Sequence, residues 1–266
     1  ILSFGAIKTI KYHFPKVNLF LLTQTNFKTI FKNLPNVEHI FEDNRKKNLL
    51  SVINYLKILK EYEIDLVVDL QNSRRTQFYH FFAKLFSKTK TLSARKFSHY
   101  KYKQQPLGFQ HITQNHKDQL KILGINDYYI TDLSWMSKSR KFKEKYVIII
   151  PGASNVSKCY SIKKLAELTT LIDANFLIIW GNSKEKVMAD EIKRISPKVT
   201  VCSKLSIDSL ITLISRVNLV IGPDTGPTHM AWGLNIPSIS LYGPTPGYRN
   251  SFVTDINKVI ESDSKV

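Results

Sequence analysis

Strand-like and helical segments alternate along this chain in two successive series, and this alternation limits the possible folds more than any other feature. Strands are predicted at 17–23, 37–41 and 64–70, and then at 146–150, 176–180, 198–202, 218–221 and 236–241. Helices are predicted at 26–33, 49–62, 76–86 and 112–123, and then at 161–172, 184–195, 207–215 and 228–234. Strands separated by helices form parallel sheets with right-handed crossovers. The sequence therefore predicts an α/β protein with two Rossmann-like, doubly wound domains.

A charged segment that is poor in apolar residues separates the two series. Residues 136–145 read MSKSRKFKEK, which is typical of a link between domains. We therefore predict an N-terminal domain over residues 1–145 and a C-terminal domain over residues 146–266.

The chain is strongly basic, and its charge is unevenly distributed. Its 39 Lys and Arg residues outnumber 21 Asp and Glu residues, a formal net charge of +18. Residues 1–145 hold 26 basic and 11 acidic side chains, whereas the remainder holds 13 and 10. Residues 70–117 contain ten basic side chains and no acidic one. Such a field predicts an anionic partner: nucleic acid, an acidic membrane surface or a phosphorylated glycolipid. The alternative is that lysines simply cover solvated faces.

Composition excludes several classes of protein. A hydrophobic content of 43% is too high for a globally disordered chain. No apolar stretch approaches the roughly 20 residues that a membrane-spanning helix needs. Two cysteines exclude a disulfide scaffold and fit a reducing compartment.

The loop after the first strand of the second series carries a candidate anion site. Residues 151–158 read PGASNVSK and precede a predicted helix. Small residues let backbone N–H groups approach an anion, Ser154 can donate a hydroxyl, and Lys158 can neutralise a phosphate. An ordinary strand-to-helix loop explains the same residues equally well. The loop matches neither the P-loop nor the GxGxxG pattern, which disfavours P-loop NTPases and dehydrogenases.

A second turn, at 222–230 (GPDTGPTHM), gives the stronger signal. A strand ends there and a helix starts, so the positive end of that helix faces the strand tips. Thr225, the N–H of Gly226, Thr228 and His229 could all face a diphosphate at this point. Asp224 also suits a helix N-cap, and a single histidine is often only a surface or core residue.

These motifs resemble the donor-site signatures of glycosyltransferase family 9, the ADP-heptose:lipopolysaccharide heptosyltransferases. The resemblance is carried by residues 151–154 (PGAS) with Lys158, by 224–231 (DTGPTHMA), by Pro237 and by 241–245 (LYGPT). It covers most of 146–249, and 5–71 more weakly through AIK at 6–8, HFP at 13–15 and VDL at 68–70. Residues 72–145 match little, as expected of a variable acceptor-binding region.

The resemblance implies a GT-B enzyme, with two Rossmann-like domains facing a cleft, the N-terminal one for the acceptor and the C-terminal one for the nucleotide-sugar. It implies inverting, metal-independent transfer of a heptose from ADP-heptose to the lipopolysaccharide inner core, with no cofactor beyond the ADP-sugar donor substrate. Carried over by position, Ser154 and Lys158 would contact the donor phosphates. Asp224 would lie at the sugar. Thr225, Gly226 and His229 would lie at the diphosphate.

The sequence departs from the family pattern at three places. Family members often place an acidic residue soon after the Trp-Gly of the second strand to hold the ribose, whereas Glu185 is the nearest acid after Trp180-Gly181 here. The family's Gly-Asp turn, whose Asp is the expected general base, would lie upstream of Ile1, so the catalytic residue is unknown and the first strand is expected to be missing. The carboxyl end also looks short. We expect a truncated enzyme whose own transfer is severely reduced or absent, even where ADP binds.

The acceptor side is predicted from the basic region. Arg74, Arg75, Arg95 and Lys96 are expected to face the acceptor or a membrane surface. The aromatic helix predicted at 76–86 either lies in a membrane surface or packs the core, and solvent exposure of two or more of its rings would favour the membrane. The resemblance thus predicts a cytoplasmic, monomeric protein, peripheral to the inner membrane, that acts on anionic lipopolysaccharide and does not bind nucleic acid.

Three alternatives remain open at this point. The first is a GT-B transferase that uses another nucleotide-sugar donor. The second is a catalytically inactive remnant of the family. The third is a nucleic-acid-binding protein whose charge contacts phosphates, although the sequence shows no RNP, KH or helix-turn-helix signature.

Overall fold

The computed structural model describes residues 1–32, 34–35, 37–44, 48–105, 110–136 and 139–262. The chain divides into two compact units, Leu2–Ile130 and Thr131–Val266. Within the described residues, no helix is both long enough and apolar enough to cross a bilayer. Each unit is an α/β body whose described strands all pair in parallel.

The first unit contains two small parallel sheets. Its strands are β1 (Phe20–Thr23), β2 (His39–Glu42), β3 (Leu66–Val68), β4 (Lys90–Ser93) and β5 (Tyr100–Lys101). Its helices are α1 (Phe4–His13), α2 (Lys28–Phe31), α3 (Leu49–Glu61), α4 (Arg74–Phe86) and α5 (Ile112–Lys121), with a 3-10 turn at Thr25–Phe27. One sheet pairs β1 with β2 and the other has the order β3-β4-β5. The predicted helix 26–33 includes residue 33, which lies outside the described residues.

Local capping sets where the helices of this unit begin. Asn48 accepts a hydrogen bond from the Ser51 N–H and starts α3. Ser73 and Thr76 form a reciprocal capping box, so α4 begins at Arg74, two residues before the sequence prediction. The sequence prediction also missed β4 and β5. The reason is that β4, with the sequence KTLS, contains one apolar residue and shows no strand-like alternation.

The second unit is a single six-stranded parallel sheet with helices between its strands. Its strands are β6 (Tyr146–Ile149), β7 (Asn175–Ile178), β8 (Thr200–Val201), β9 (Leu219–Pro223), β10 (Ser238–Tyr242) and β11 (Asn257–Glu261). Its helices are α6 (Ile162–Leu171), α7 (Ser183–Ile195), α8 (Ile207–Arg216) and α9 (Gly226–Gly233). Short 3-10 turns lie at Ser134–Met136, Val156–Lys158 and Gly247–Arg249.

The strand order of this sheet is β11-β10-β9-β6-β7-β8. Numbered within the unit it is 6-5-4-1-2-3, the order of a doubly wound dinucleotide-binding fold. The order reverses between β6 and β9, which pair directly, and ligands bind such folds outside the carboxyl ends of the strands at this reversal. In the same numbering scheme, β1 and β2 of the first unit take positions 2 and 3, and β3, β4 and β5 take positions 4, 5 and 6. No described strand takes position 1. The expectation of a missing first strand stays a prediction.

The boundary between the units lies earlier than the sequence placed it. The prediction put it after Lys145, but the segment from Thr131 onward packs with the second unit. Leu133 is fully buried, and its N–H donates to the Gly233 carbonyl at 2.8 Å. Further along, the Phe142 N–H donates to the Arg216 carbonyl at 3.0 Å. The charged composition of 136–145 gave no sign of the hydrogen bond at Phe142, because that bond uses the backbone. Residues 137 and 138 of that segment lie outside the described residues.

We expect Leu133→Ala to reduce the free energy of unfolding of the second unit by about 3 kcal/mol, because it removes a fully buried side chain. Urea unfolding followed by tryptophan fluorescence measures this directly, since Trp135, Trp180 and Trp232 all lie in that unit. The control is Leu171→Ala, at a side chain that is 74% exposed, which should change stability by less than about 0.5 kcal/mol. Equal effects of the two substitutions would contradict the assignment of this segment to the second unit.

Candidate functional site

The two loops singled out by sequence leave neighbouring strands at the same edge of the second sheet. β6 pairs in parallel with β9, with Ile149 opposite Ile221, so the chain leaves both strands at the reversal of strand order. After β6 the chain runs through the 3-10 turn Val156–Lys158, and after β9 it turns at Asp224 into α9. This places Lys158 beside Asp224, although 66 positions separate them in sequence.

Asp224 is the centre of the site. Its side chain is buried, and Oδ2 accepts a hydrogen bond from Lys158 Nζ at 2.7 Å and another from Asn250 Nδ2 at 3.2 Å. On the other oxygen, Nε2 of His229 lies 3.1 Å from Oδ1, and Tyr242 Oη donates to Oδ1 at 3.3 Å. Both carboxylate oxygens are therefore engaged by donors. Asp224 acts here as an anchor that orients Lys158 and His229.

The surroundings of Asp224 favour its charged form. Burial alone would raise the pKa of its carboxyl group, but His229 and Lys158 outweigh burial through hydrogen bonding and opposite charge, so the pKa is lowered. The carboxylate is consequently ionised at neutral pH. Burial, together with the same carboxylate, raises the pKa of the neighbouring Tyr242 hydroxyl, which stays protonated as a donor.

Helix α9 begins immediately after Asp224 and directs its amino end to the edge of the sheet. Thr225 is the N-cap residue, yet its side chain caps no backbone N–H and instead lies 3.2 Å from the Thr228 hydroxyl. Gly226, the first residue of the helix, is exposed, with open space where a Cβ would be. Pro227 in the first turn lets the helix begin at Gly226, two residues before the sequence prediction. The start of α9 is thus open and lies next to the Asp224–Lys158 pair, and open helix starts of this kind can receive anions.

Gly222 makes this turn possible. A Cβ on Gly222 would lie 2.7 Å from Ile150 Cβ and 3.0 Å from Thr228 Oγ1. The glycine therefore lets β9 approach β6 and α9 closely enough to bring Asp224 to Lys158. The buried hydroxyl of Thr228 fixes the same turn by donating to the Pro223 carbonyl at 2.8 Å.

Sequence reasoning missed Tyr242 and Asn250 as members of the site. Tyr242 ends β10, the strand next to β9, and its hydroxyl lies 2.7 Å from the Ser251 hydroxyl. Asn250 follows the 3-10 turn Gly247–Arg249. The signal for Tyr242 was its position at a strand end within the LYGPT motif. Asn250 carried no signal of its own.

Glu185 links the loops that follow β6 and β7. It lies in the first turn of α7, and its Oε2 accepts a hydrogen bond from the Gly181 N–H at 2.6 Å. Its side chain lies over Gly152, where an added Cβ would come within 2.2 Å of Glu185 Cγ. The structure thus places Glu185 at this point of the sheet edge, beside Gly152 and Gly181.

The remaining predicted residue of the donor loop, Ser154, is not part of the cluster around Asp224. It lies in the same loop as Lys158 but is exposed, and the structure describes no hydrogen bond from its side chain. Its predicted contact with a phosphate stays a prediction. In the part of the chain that the structure describes, no group of three or more His, Cys, Asp or Glu side chains is placed to hold a metal ion.

The four basic residues predicted for the acceptor side have different surroundings within the first unit. Arg74 and Lys96 are exposed. Arg75 pairs with Asp43 and donates to Gln71 Oε1 at 3.0 Å, and its side chain is only 12% exposed. Arg95 is half-buried, and its Nε donates to the Asn72 carbonyl. Arg75 and Arg95 thus hold the unit together, whereas Arg74 and Lys96 are open to a partner.

A buried polar cluster, which the sequence reasoning did not identify, lies at the ends of β3 and β4. Asp69 Oδ1 accepts hydrogen bonds from the Gln71 and Asn72 N–H groups, both at 3.0 Å, and its Oδ2 lies 3.4 Å from His80 Nε2. Asn72 in turn accepts from the Ala94 N–H at 2.7 Å. This cluster ties the loops after both strands together and positions Arg95.

Known proteins resemble this chain over most of its length. The sequence profile of glycosyltransferase family 9 (heptosyltransferase) matches residues 52–264. Lipopolysaccharide heptosyltransferase 1 of Campylobacter coli is 28% identical over 98% of this chain and 85% of its own length.

Two solved structures resemble the chain in fold. E. coli heptosyltransferase WaaC with ADP-2-deoxy-2-fluoro heptose has a TM-score of 0.75 at 17% identity, covering 97% of this chain and 88% of that one. A glycosyl transferase family 9 structure from Veillonella parvula has a TM-score of 0.80 at 15% identity, covering 98% of this chain and 82% of that one. These likenesses confirm the predicted α/β fold class, GT-B.

We expect Asp224→Asn to lower the free energy of unfolding of the second unit by roughly 3 kcal/mol at pH 7, because it leaves Lys158 without its counter-charge and removes the carboxylate beside His229. The native fold lowers the pKa of Asp224 below its unfolded value of about 3.9, so the carboxylate stabilises the fold fully above that pH. This stabilisation declines as the pH falls below about 4, and the gap between wild type and variant should narrow there.

Urea unfolding followed by tryptophan fluorescence between pH 7 and pH 3 tests this expectation. Asp190→Asn is the matched control, because Asp190 forms a surface pair with Lys186 and its side chain is 55% exposed. That variant should differ from wild type by less than about 0.5 kcal/mol. A gap between wild type and Asp224→Asn that stays constant across the pH range would contradict the proposed role of the buried carboxylate.

Proposed function

The chain belongs to glycosyltransferase family 9, and we propose that it transfers a heptose from ADP-heptose to the inner core of lipopolysaccharide. The observation that carries the proposal is the cluster of Lys158, Asp224 and His229 beside the open start of α9. Such a cluster at the reversal of strand order suits the diphosphate of a nucleotide-sugar. The names of the relatives, which are lipopolysaccharide heptosyltransferases, support the sugar and the acceptor.

The donor diphosphate would lie between Lys158 and the amino end of α9. Lys158 has three N–H donors and gives one to Asp224, which leaves two for phosphate oxygens. The hydroxyl of Thr225 and the N–H of Gly226 would supply further donors. Because Asp224 holds Lys158 and His229 in place, these donors are oriented before the diphosphate binds.

The reaction would proceed by direct displacement at the anomeric carbon with inversion. An acceptor hydroxyl loses its proton to a general base and forms the new bond to the sugar, while the bond to the ADP oxygen breaks. Negative charge then develops on the leaving diphosphate, where Lys158 and the dipole of α9 stabilise it. Because these groups supply positive charge, the proposed reaction uses no divalent metal and no resident cofactor. The general base is not assigned among the residues of this chain.

Glu185 is our candidate for the group that binds the ribose of the donor. It lies in the first turn of α7, which follows β7, and β7 is next to the strand that leads to Lys158. Its Oε2 is held by the Gly181 N–H. A carboxylate in this position of a dinucleotide-binding fold accepts hydrogen bonds from ribose hydroxyls.

The proposed acceptor also fits the charge of the first unit. Lipopolysaccharide carries phosphates and acidic sugars, and residues 70–117 contain ten basic side chains without an acidic one. We therefore propose that the protein acts as a monomer at the cytoplasmic face of the inner membrane, as a peripheral protein. Of the four basic residues discussed above, Arg74 and Lys96 have the exposure that an acceptor contact requires.

We expect the protein to bind ADP and to bind UDP more weakly, as measured by isothermal titration calorimetry. Lys158→Ala should weaken ADP binding about tenfold or more, since a hydrogen bond to a charged group contributes about 1.5–3 kcal/mol. Lys163→Ala, which removes an exposed lysine of α6, is the matched control and should leave ADP binding unchanged. Equal affinity for ADP and UDP would instead favour a transferase with another nucleotide-sugar donor.

We expect the full-length product of the gene that encodes this chain to restore heptose addition in cells that lack a lipopolysaccharide heptosyltransferase. In extracts of those cells, release of ADP from ADP-heptose should require heptose-deficient lipopolysaccharide and should be unchanged by EDTA. Loss of activity in EDTA with recovery on adding Mg²⁺ would refute metal independence. If that gene product binds ADP but transfers no heptose, the result would favour the inactive remnant.

A further inference from the structure

We propose that one face of α4 is the surface by which this protein docks onto an anionic lipid bilayer. The α4 face consists of Arg74, Phe78, Phe81 and Leu85, with Phe97 from the loop after β4 beside it. This inference rests on the proposed function, in which the acceptor is anchored in a membrane, and it names the residues that make the contact.

The spacing of these residues places them on one stripe of the helix. Positions 74, 78, 81 and 85 follow the i, i+4, i+7, i+11 pattern of a single helical face. The side chains of Phe78, Phe81 and Leu85 are 38%, 36% and 58% exposed. The opposite side of the helix is packed, since Tyr79 and Ala83 belong to a buried core cluster with α3. The exposed parts of the Phe78 and Phe81 rings therefore lie on the side of the helix away from this core. Two rings of α4 are thus open to solvent, which is the observation that favours a membrane role.

The aromatic side chains of this face support one another. The ring of Phe82 lies 4.9 Å from that of Phe78 and 5.2 Å from that of Phe81, both edge to face. The ring of Phe81 lies 5.0 Å from that of Phe97. The apolar surface is thus continuous between the helix and the loop after β4, and it is formed before any partner arrives.

Exposed cations border this apolar surface. Arg74 lies on the stripe itself, Lys84 and Lys88 lie near the end of the helix, and Lys96 lies next to Phe97 with its Nζ 5.9 Å from the ring centre. No acidic residue occurs between 70 and 117 to offset them. Aromatic and aliphatic side chains flanked by lysines are suited to the boundary between acyl chains and anionic headgroups.

The same observations disfavour two other occupants. A symmetric contact between two copies of this chain would bring the cations of one α4 face against those of the other, and like charges repel. A single-stranded nucleic acid needs open ring faces on which its bases can stack. Here the rings of Phe78 and Phe81 each pack edge to face with the ring of Phe82.

Sedimentation with lipid vesicles tests the proposal. The protein should bind vesicles that contain phosphatidylglycerol, bind phosphatidylcholine vesicles weakly, and lose binding as salt is raised. Phe81→Ser with Leu85→Ser should lower the partition coefficient about tenfold or more, because it removes two inserting side chains. Lys84→Glu with Lys88→Glu should do the same through charge alone, without altering the ring packing.

Matched controls lie in the second unit. Leu171→Ser with Val187→Ser changes side chains that are 74% and 69% exposed, and Lys198→Glu with Lys204→Glu repeats the charge change at exposed lysines. Both controls should bind vesicles as the wild type does, and far-ultraviolet circular dichroism should show that every variant is folded. ADP binding should be the same in all of them, so a failure of the proposed transferase function would appear in calorimetry and not in sedimentation.

Three results would overturn the proposal. The first is vesicle binding by both α4 variants that equals that of the wild type. The second is a wild-type dimer that either α4 variant converts to a monomer, which would make the face a self-interface. The third is tight binding of a short single-stranded oligonucleotide that the α4 variants abolish, with vesicle binding unaffected.

Discussion

The pairing of the buried Asp224 carboxylate with its hydrogen-bond donors is the interaction on which the proposed donor site depends. A lone ionised carboxylate in this position would be costly, and the cost is offset only because donors occupy both oxygens. Asp224 in turn keeps Lys158 and His229 in fixed positions at the edge of the sheet. One ion pair thus stabilises the fold and prepares the site for a diphosphate.

This arrangement exists because of the strand order. The loops after β6 and β9 meet only because these two strands are neighbours at the reversal of a 6-5-4-1-2-3 sheet. Gly222 permits the close approach of β9 to Ile150, the residue after β6, and α9 starts shortly after it, at Gly226. In the first unit an acidic residue after a parallel strand has a different role. There Asp69 directly follows β3 and accepts hydrogen bonds from two backbone N–H groups, and the resulting cluster secures two loops and orients Arg95.

The sequence reasoning was most successful where local chemistry decides. The alternation of apolar strands and amphipathic helices, and the two glycine-containing turns with Lys158, Asp224 and His229, were all visible in the order of residues. It was less successful where the backbone or distant partners decide. The boundary after Ile130 depends on Leu133 packing near Gly233, and β4 lacks the apolar alternation that marks a strand. Neither the packing of Leu133 nor the pairing of β4 leaves a pattern in a single sequence.

By itself, the sequence determined that the chain forms two α/β units, that its basic charge is concentrated in the first, and which two turns of the second could receive an anion. Only the tertiary structure decided which side chains meet. It placed Lys158 2.7 Å from Asp224, added Tyr242 and Asn250 to that cluster, turned Arg75 and Arg95 inward, and left the α4 rings exposed. The physical reason is that propensity and periodicity act over a few residues, whereas the pairing of a buried charge or the exposure of a ring depends on segments far apart in the chain.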